Sequence, residues 1–208
     1  MATLTTLKAR IASELHRDNL TTEIASAITS AIDQHKSRRF EFNQLQASFN
    51  TIANQEDYNS ADAGFPDDIG QIDSLRVTVN DRKVVLKPLT FQELQALSTT
   101  TTSYGDPSYW AWYAQSIFFY PIPDAVYSVL VSYQQRKDAP ANDADGTTIW
   151  TNQCEPLIRA TAKKLLARDV INDPDEYARS KDAESEALGM LMRESLQLQD
   201  EGGLQPSW

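Results

Sequence analysis

The chain has 208 residues, of which 41% are hydrophobic and 23% charged, and it carries a formal net charge of -10. That length allows one domain or two closely joined ones, with a core large enough to fold without disulfides or metals. The acidic balance excludes bulk attraction to nucleic acid, and no run of about 18 apolar residues marks a membrane-spanning helix.

The opening Met-Ala-Thr-Leu-Thr-Thr-Leu-Lys has no basic segment followed by an apolar one, so no signal peptide is expected. Leu4, Leu7, Ile11 and Leu15 recur at helical spacing and predict an amphipathic helix capped by Thr3, Thr5 or Thr6. Asp18-Asn19 breaks that pattern. A second helix starts near Thr21 or Thr22, with Ile24, Ala27, Ile28, Ala31 and Ile32 on one stripe. Its last turn is basic (His35, Lys36, Arg38, Arg39), which suits the negative end of a helix dipole. Together the two make an αα-hairpin.

Residues 40–42 and 45–52 read as strands, the latter alternating Leu45, Ala47 and Phe49 against Gln46, Ser48 and Asn50. The polar stretch 53–68, broken by Gly64 and Pro66, reads as a loop. Ile69, Ile72, Leu75, Val77 and Val79 then lead through Asn80-Asp81, which tolerates a tight hairpin turn, into a strand at 82–86. Thr90 and Glu93 form a capping box with Leu89 and Leu94 at the staple positions, which predicts a short helix at 91–97. Residues 98–108 read as a loop.

The stretch 109–133 is dense in aromatic and β-branched residues and reads as three successive strands, at 109–113, 116–120 and 125–133. Ala114-Gln115 turns the first pair and Pro121-Ile122-Pro123-Asp124 the second, which predicts an antiparallel meander. Along the third strand Val126, Ser128, Leu130 and Ser132 face one way and Tyr127, Val129, Val131 and Tyr133 the other. The aromatic density reads as a sheet core; the alternative is a stacking platform for bases or sugars.

Residues 134–148 form a polar connection. A helix comes next, from 155 to 170, with Pro156 tolerated in its first turn and Leu157, Ala160, Ala162, Leu165, Leu166 and Val170 apolar. Asp173-Pro174-Asp175-Glu176 restarts a helix, with Asp173 as cap and Glu176 closing a capping box. That helix, to about Leu198, has few apolar residues: Tyr177, Leu188, Leu191, Met192 and Leu198. The order predicts an α+β fold. A helical bundle is built from the N- and C-terminal helices (1–39 and 149–198). An inserted antiparallel β-sheet module spans 40–148, and a flexible tail occupies 199–208.

No catalytic motif emerges. His16 and His35 are the only histidines and both read as structural or solvated. Cys154, the single cysteine, has no metal-ligand partner at the right spacing and points to synthesis in a reducing cytoplasm. Asp143 with Asp145, and Asp67 with Asp68, lack the glycine and terminal glutamate of a calcium loop. No P-loop, Gly-x-Gly-x-x-Gly or Gly-x-Ser-x-Gly occurs. The expectation is a non-enzyme with no metal and no cofactor.

Several segments in this order resemble a known family. They are Leu-x-x-Leu-x-x-x-Ile-x-x-x-Leu from Leu4, the Ile24 helix ending in Arg38-Arg39-Phe40-x-Phe42-Asn43, and Ile72-Asp73-Ser74-Leu75-x-Val77-x-Val79-Asn80. Ile117-x-x-Tyr120-Pro121-Ile122-Pro123-Asp124-x-x-Tyr127 and the Trp150-Thr151…Leu157-Ile158-Arg159-Ala160 stretch with Asp173-Pro174-Asp175-Glu176 complete the set. Together they are similar to the head-to-tail adaptor (connector) proteins of short-tailed bacteriophages. The resemblance implies a structural virion protein at the neck. It would be a closed ring of identical copies beneath the portal protein, joined to nozzle and fibre proteins, that extends the DNA channel without specific DNA binding and without a membrane. The sparsely apolar last helix and the tail suggest partner-contact residues: Tyr177, Leu188, Leu191, Met192, Leu198 and Trp208. A carbohydrate- or peptide-binding module using the aromatic sheet is the alternative, and it requires several of Tyr109, Trp110, Trp112 and Tyr113 to be exposed together.

Overall fold

A computed structural model describes residues 3–100, 102–142 and 148–201, with side chains of 100 and 197–201 left aside. Chain order runs α1 (Leu4–Leu15), α2 (Thr21–His35), β1 (Gln44–Asn50), β2 (Asp57–Tyr58), β3 (Ile69–Val79), β4 (Arg82–Val85), β5 (Lys87–Pro88) and α3 (Phe91–Thr100). It continues through β6 (Tyr109–Tyr113), β7 (Ser116–Tyr120), β8 (Ser128–Gln135), α4 (Ile149–Asn152), α5 (Glu155–Leu166) and α6 (Pro174–Glu201). The class is α+β. Two compact units divide the chain: Met1–Phe42 with Lys137–Trp208, and Asn43–Arg136.

In the helical unit, α1 begins at Thr3, whose hydroxyl accepts from the Thr6 N–H (3.2 Å) while Thr6 Oγ1 accepts from the Thr3 N–H (2.7 Å). Thr6 thus fills the role that Glu or Gln usually plays in a capping box. Leu4, Leu7 and Ile11 are buried. The helix stops at His16, in the left-handed region at φ 52°. The α2 stripe of Ile24, Ala27, Ile28, Ala31 and Ile32 is buried as its spacing predicts.

Helix α5 is buried on most of its circumference through Leu157, Ile158, Ala160, Thr161, Ala162, Leu165 and Leu166, so it is the central helix of the unit. It ends at Leu166, not 170. A π turn at Ala167–Ile171 adds a residue to the last turn and rotates the side chains along it, which leaves Val170 41% exposed. Asp173 caps α6 as expected, its Oδ1 accepting from the Asp175 and Glu176 N–H groups at 3.0 Å. The reciprocal half of that capping box is absent: the Asp173 N–H donates to the Ala167 carbonyl, and the Glu176 carboxylate pairs with Lys163 instead.

Two further differences arise here. Residues 40–42 are no strand. Phe40 is fully buried in the helical core and stacks on Phe42 at 5.0 Å, while Glu41–Asn43 forms a 3-10 turn. Burying Phe40 among helices, with Phe42 half-buried against the same core, outweighs the strand preference of the local pattern. The short α4, capped by a Thr148–Thr151 box, delivers Trp150 to the centre of the core, where its indole N–H donates to the Lys137 carbonyl at 3.1 Å.

The other unit holds two four-stranded sheets, ordered β1-β8-β3-β4 and β2-β7-β6-β5. The first is antiparallel throughout, whereas β5 joins β6 in parallel. Both tight hairpins form where expected. Asn80 and Asp81 take φ 48° and 62°, and Ala114 and Gln115 take 49° and 62°, the mirror-image turn that suits strand twist. The three-strand meander does not form. β7 pairs with β6 and β2, and β8 crosses to the other sheet, where Val131 faces Ala47 on one side and Leu75 on the other. Prolines 121 and 123 lack amide donors, so the connection cannot continue the ladder and redirects the chain.

The alternation along β8 is as read: Val129, Val131 and Tyr133 are buried, and Ser128, Leu130 and Ser132 are not. The inner faces of the two sheets share one core that includes Phe49, Tyr58, Trp110, Ile117 and Phe119. Tyr58 lies inside the supposed 53–68 loop, on β2, with its hydroxyl donating to the Ile52 carbonyl at 3.0 Å. α3 starts on the expected Thr90–Glu93 box, with the Thr90 N–H donating to Glu93 at 2.8 Å, and runs to Thr100 rather than 97.

Candidate partner interface

The groups that carry chemistry in other proteins are committed to structure here. His35 is 2% exposed, and its Nε2 lies 3.0 Å from Thr161 Oγ1 and 3.5 Å from a Glu184 carboxylate oxygen. Nδ1 has no hydrogen-bond partner among the described residues. A proton on Nε2 therefore satisfies the ring best, since an orphaned N–H costs more than an orphaned lone pair. Burial lowers the His35 pKa, and nearby Arg38 adds to this. Burial also pushes Glu184 upward, but its hydrogen bond and ion pair with Lys164 outweigh that and hold the carboxyl below its ordinary value. The network ties α2, α5 and α6 together.

Cys154 is fully buried, which pushes its thiol pKa up to about 12 and keeps it out of thiolate chemistry. Asp68 accepts from the Tyr133 hydroxyl at 2.9 Å and from the Gln135 amide, so it braces a strand end. His16 is the exposed cap of α1. Asp143 and Asp145 lie outside the described residues.

Of the four aromatic residues expected to form a binding platform, Trp110 is buried in the sheet core, Tyr109 and Trp112 are half-buried, and Tyr113 alone is exposed. Tyr113 stacks on Phe91 at 4.2 Å. One exposed ring is too little surface for the platform that alternative requires.

The helical unit does present surface. α1, α5 and α6 border a groove of about 680 Å³, with Leu157 and Ala160 of α5 at its base and Ala183, Ala187 and Met190 of α6 along one wall. Charged side chains rim it. Glu14 accepts from Arg159 at 2.8 Å and Lys163 at 3.2 Å, and Glu176 pairs with Lys163 at 3.0 Å and Arg179 at 3.1 Å. Burial raises the Glu14 pKa, but Arg159 and Lys163 overcome this and leave it lowered.

Among the residues expected at a partner contact, Tyr177 is half-buried, Leu188 and Leu191 are half-buried against the helical core, and Met192 is 39% exposed. Leu198 and Trp208 lie outside the residues whose side chains are described. Met190 and Leu196, absent from that expected set, are more exposed, at 53% and 59%. An i, i+4 apolar pair on a helix otherwise rich in charge is a signal that could have marked Met192 with Leu196.

A chain that buries His35 and its cysteine while exposing apolar positions along one long helix has the character of a structural protein that acts through its surfaces. No curated protein matches it. A model of the SU10 adaptor protein family matches residues 2–205, and the chain belongs to that family. It is accordingly a bacteriophage adaptor, and membership implies a structural component of the virion. Among the described residues, no helix is long and apolar enough to cross a membrane, and no group of three or more His, Cys, Asp or Glu is placed to hold a metal ion.

Proposed function

We propose that this adaptor forms a ring of identical copies at the neck of the particle. The ring joins the portal protein to the nozzle and fibre proteins of the tail and continues the DNA channel between them. The observation that carries the reading is the family match over residues 2–205, nearly the whole chain. Supporting it, α6 exposes Met190, Met192 and Leu196 on a unit whose other large apolar side chains are mostly packed inside. We take Tyr177, Leu188, Leu191, Met192, Leu198 and Trp208 as contact positions for the portal, a neighbouring copy or the tail.

The formal charge of -10 suits a channel through which DNA slides without specific binding, because phosphates are repelled rather than gripped. The chain is made in the host cytoplasm and ends in the virion neck, with no part in a membrane. Mass measured by light scattering tests this, on the purified protein alone and then mixed with a portal ring. Formation of a large complex with portal is the expected outcome; a protein that ignores portal and is missing from purified particles removes the reading.

A further inference from the structure

The sheet unit is acidic except in one place. Its cations are Arg76, Arg82, Lys83, Lys87 and Arg136, and the first four fall on or beside the β3–β4 hairpin, where Asp81 in the turn is the only carboxylate. None of those four makes an ion pair among the described residues. Arg82, Lys83 and Lys87 are exposed, and Arg76 is half-buried.

Strand register places two of them on the outer face of the first sheet. Directly opposed residues share a face, so Asn50, Ser128, Thr78 and Lys83 form one row across β1, β8, β3 and β4. Ser48, Leu130, Arg76 and Val85 form the next. All eight are exposed or half-buried, whereas Phe49, Val129 and Val77 on the other face are buried. Neither row holds a carboxylate or an aromatic ring. Arg76 and Lys83 stand diagonally across the β3–β4 pair, about 7–8 Å apart at the backbone, so each can meet one of two neighbouring phosphates.

We propose that this face binds the phosphodiester backbone of duplex DNA without regard to sequence. Backbone phosphates are held by Arg and Lys together with Ser, Thr, Asn and Gln side chains, and the two rows present that mixture. Protein partners favour aromatic and Met anchors at the centre of a contact, and here Leu130 and Val85 are the only apolar residues in the rows. Single strands call for rings on which bases stack, and the rows have none. Lysines on an edge strand also guard a sheet against pairing with another. That role asks for charge at the edge and leaves Arg76 unexplained, since β3 lies one strand in. The contact goes beyond the channel reading, which requires only that DNA pass. Because the net charge of -10 repels phosphate elsewhere, the contact is local and weak, and a duplex held by it still slides.

Fluorescence anisotropy of a labelled short duplex, titrated with the full-length protein at low salt, tests the site. Binding should be equal for two unrelated sequences. Log K should fall against log salt with a slope between about −2 and −4, as for two to four neutralised phosphates. Arg76→Gln/Lys83→Gln should weaken binding on the order of tenfold and reduce the slope by about two. Arg17→Gln/Lys181→Gln removes the same charge from exposed positions of the helical unit that make no ion pair among the described residues. It should leave the affinity within about twofold, since distant charges are screened. An unchanged urea midpoint in both variants shows that folding is intact. No binding at low salt, or equal weakening by the two variants, overturns the proposal. So does a labelled polyglutamate peptide that binds more tightly than the duplex, which assigns the face to an acidic polypeptide. A protein that ignores DNA and still joins a portal ring loses this site alone. One that binds the duplex and ignores portal keeps the site and loses the portal-joining reading.

Discussion

The two units solve the problem of burial differently. The sheet unit is one continuous segment whose two sheets close over a core of aromatic and β-branched side chains. The helical unit is assembled from both ends of the chain, and it keeps a charged and polar network of His35, Thr161, Glu184 and Lys164 within its packing. A dry core fixes its neighbours by shape, while a hydrogen-bonded network fixes them by partner identity. The lesson is where contact surface remains. The sheet unit leaves only Tyr104 and Tyr113 exposed among its described aromatic residues, whereas the helical unit leaves a groove, and Met190, Met192 and Leu196 of α6, uncovered.

The sharpest way to break this contrast is Trp150→Ala. The indole is the largest fully buried side chain and sits in the helical core, so its loss should cost about 3–5 kcal/mol. Urea unfolding followed by helical circular dichroism would read this as a lower midpoint. Glu184→Ala comes next. It strips Lys164, His35 and Thr161 of a shared acceptor and should cost about 2 kcal/mol in the same assay, the worth of hydrogen bonds to a charged group.

In the opposite direction, Ala114 and Gln115 hold left-handed φ values that favour Asn and Gly. Ala114→Asn with Gln115→Gly should therefore stabilise the sheet unit by about 1 kcal/mol, and raise the melting temperature by roughly 2–4 °C.

The smallest effect is the dependence on pH. His35 has a folded pKa below its unfolded value, because burial disfavours its charged form. The unfolded chain therefore binds the extra proton. The stability contributed by neutral His35 is present above about pH 6.5 and is lost as pH falls through the lower folded value. His35→Gln should flatten that part of the stability profile. Glu184, also lowered, adds its own loss as pH falls below the ordinary glutamate value. A slope left unchanged by His35→Gln would assign the acid sensitivity to other groups.

The part of this protein that is legible in its sequence is set by the range of the interactions involved. Leu4, Leu7 and Ile11 mark α1, Ile24 to Ile32 mark α2, and Thr90 with Glu93 marks α3, because helical periodicity and capping act within a few residues. Asn80-Asp81 and Ala114-Gln115 mark their hairpins for the same reason. The ordered motifs also carry the family resemblance, since they span the chain.

Only the tertiary structure decided which sheet receives β8. A two-residue alternation says which side chains share a face but not which strand lies alongside, and the partners of β8 on β1 and β3 are far away in sequence. The same holds for Phe40, drawn into the helical core from a strand-like pattern, and for Val170, rotated outward by a π turn. It holds above all for the candidate interface. Leu188 and Leu191 gain cover from the helical core while Met192 and Leu196 do not. Exposure is set by where neighbouring helices pass, so the i, i+4 spacing of Met192 and Leu196 marks an apolar pair on α6 but not whether another helix covers it.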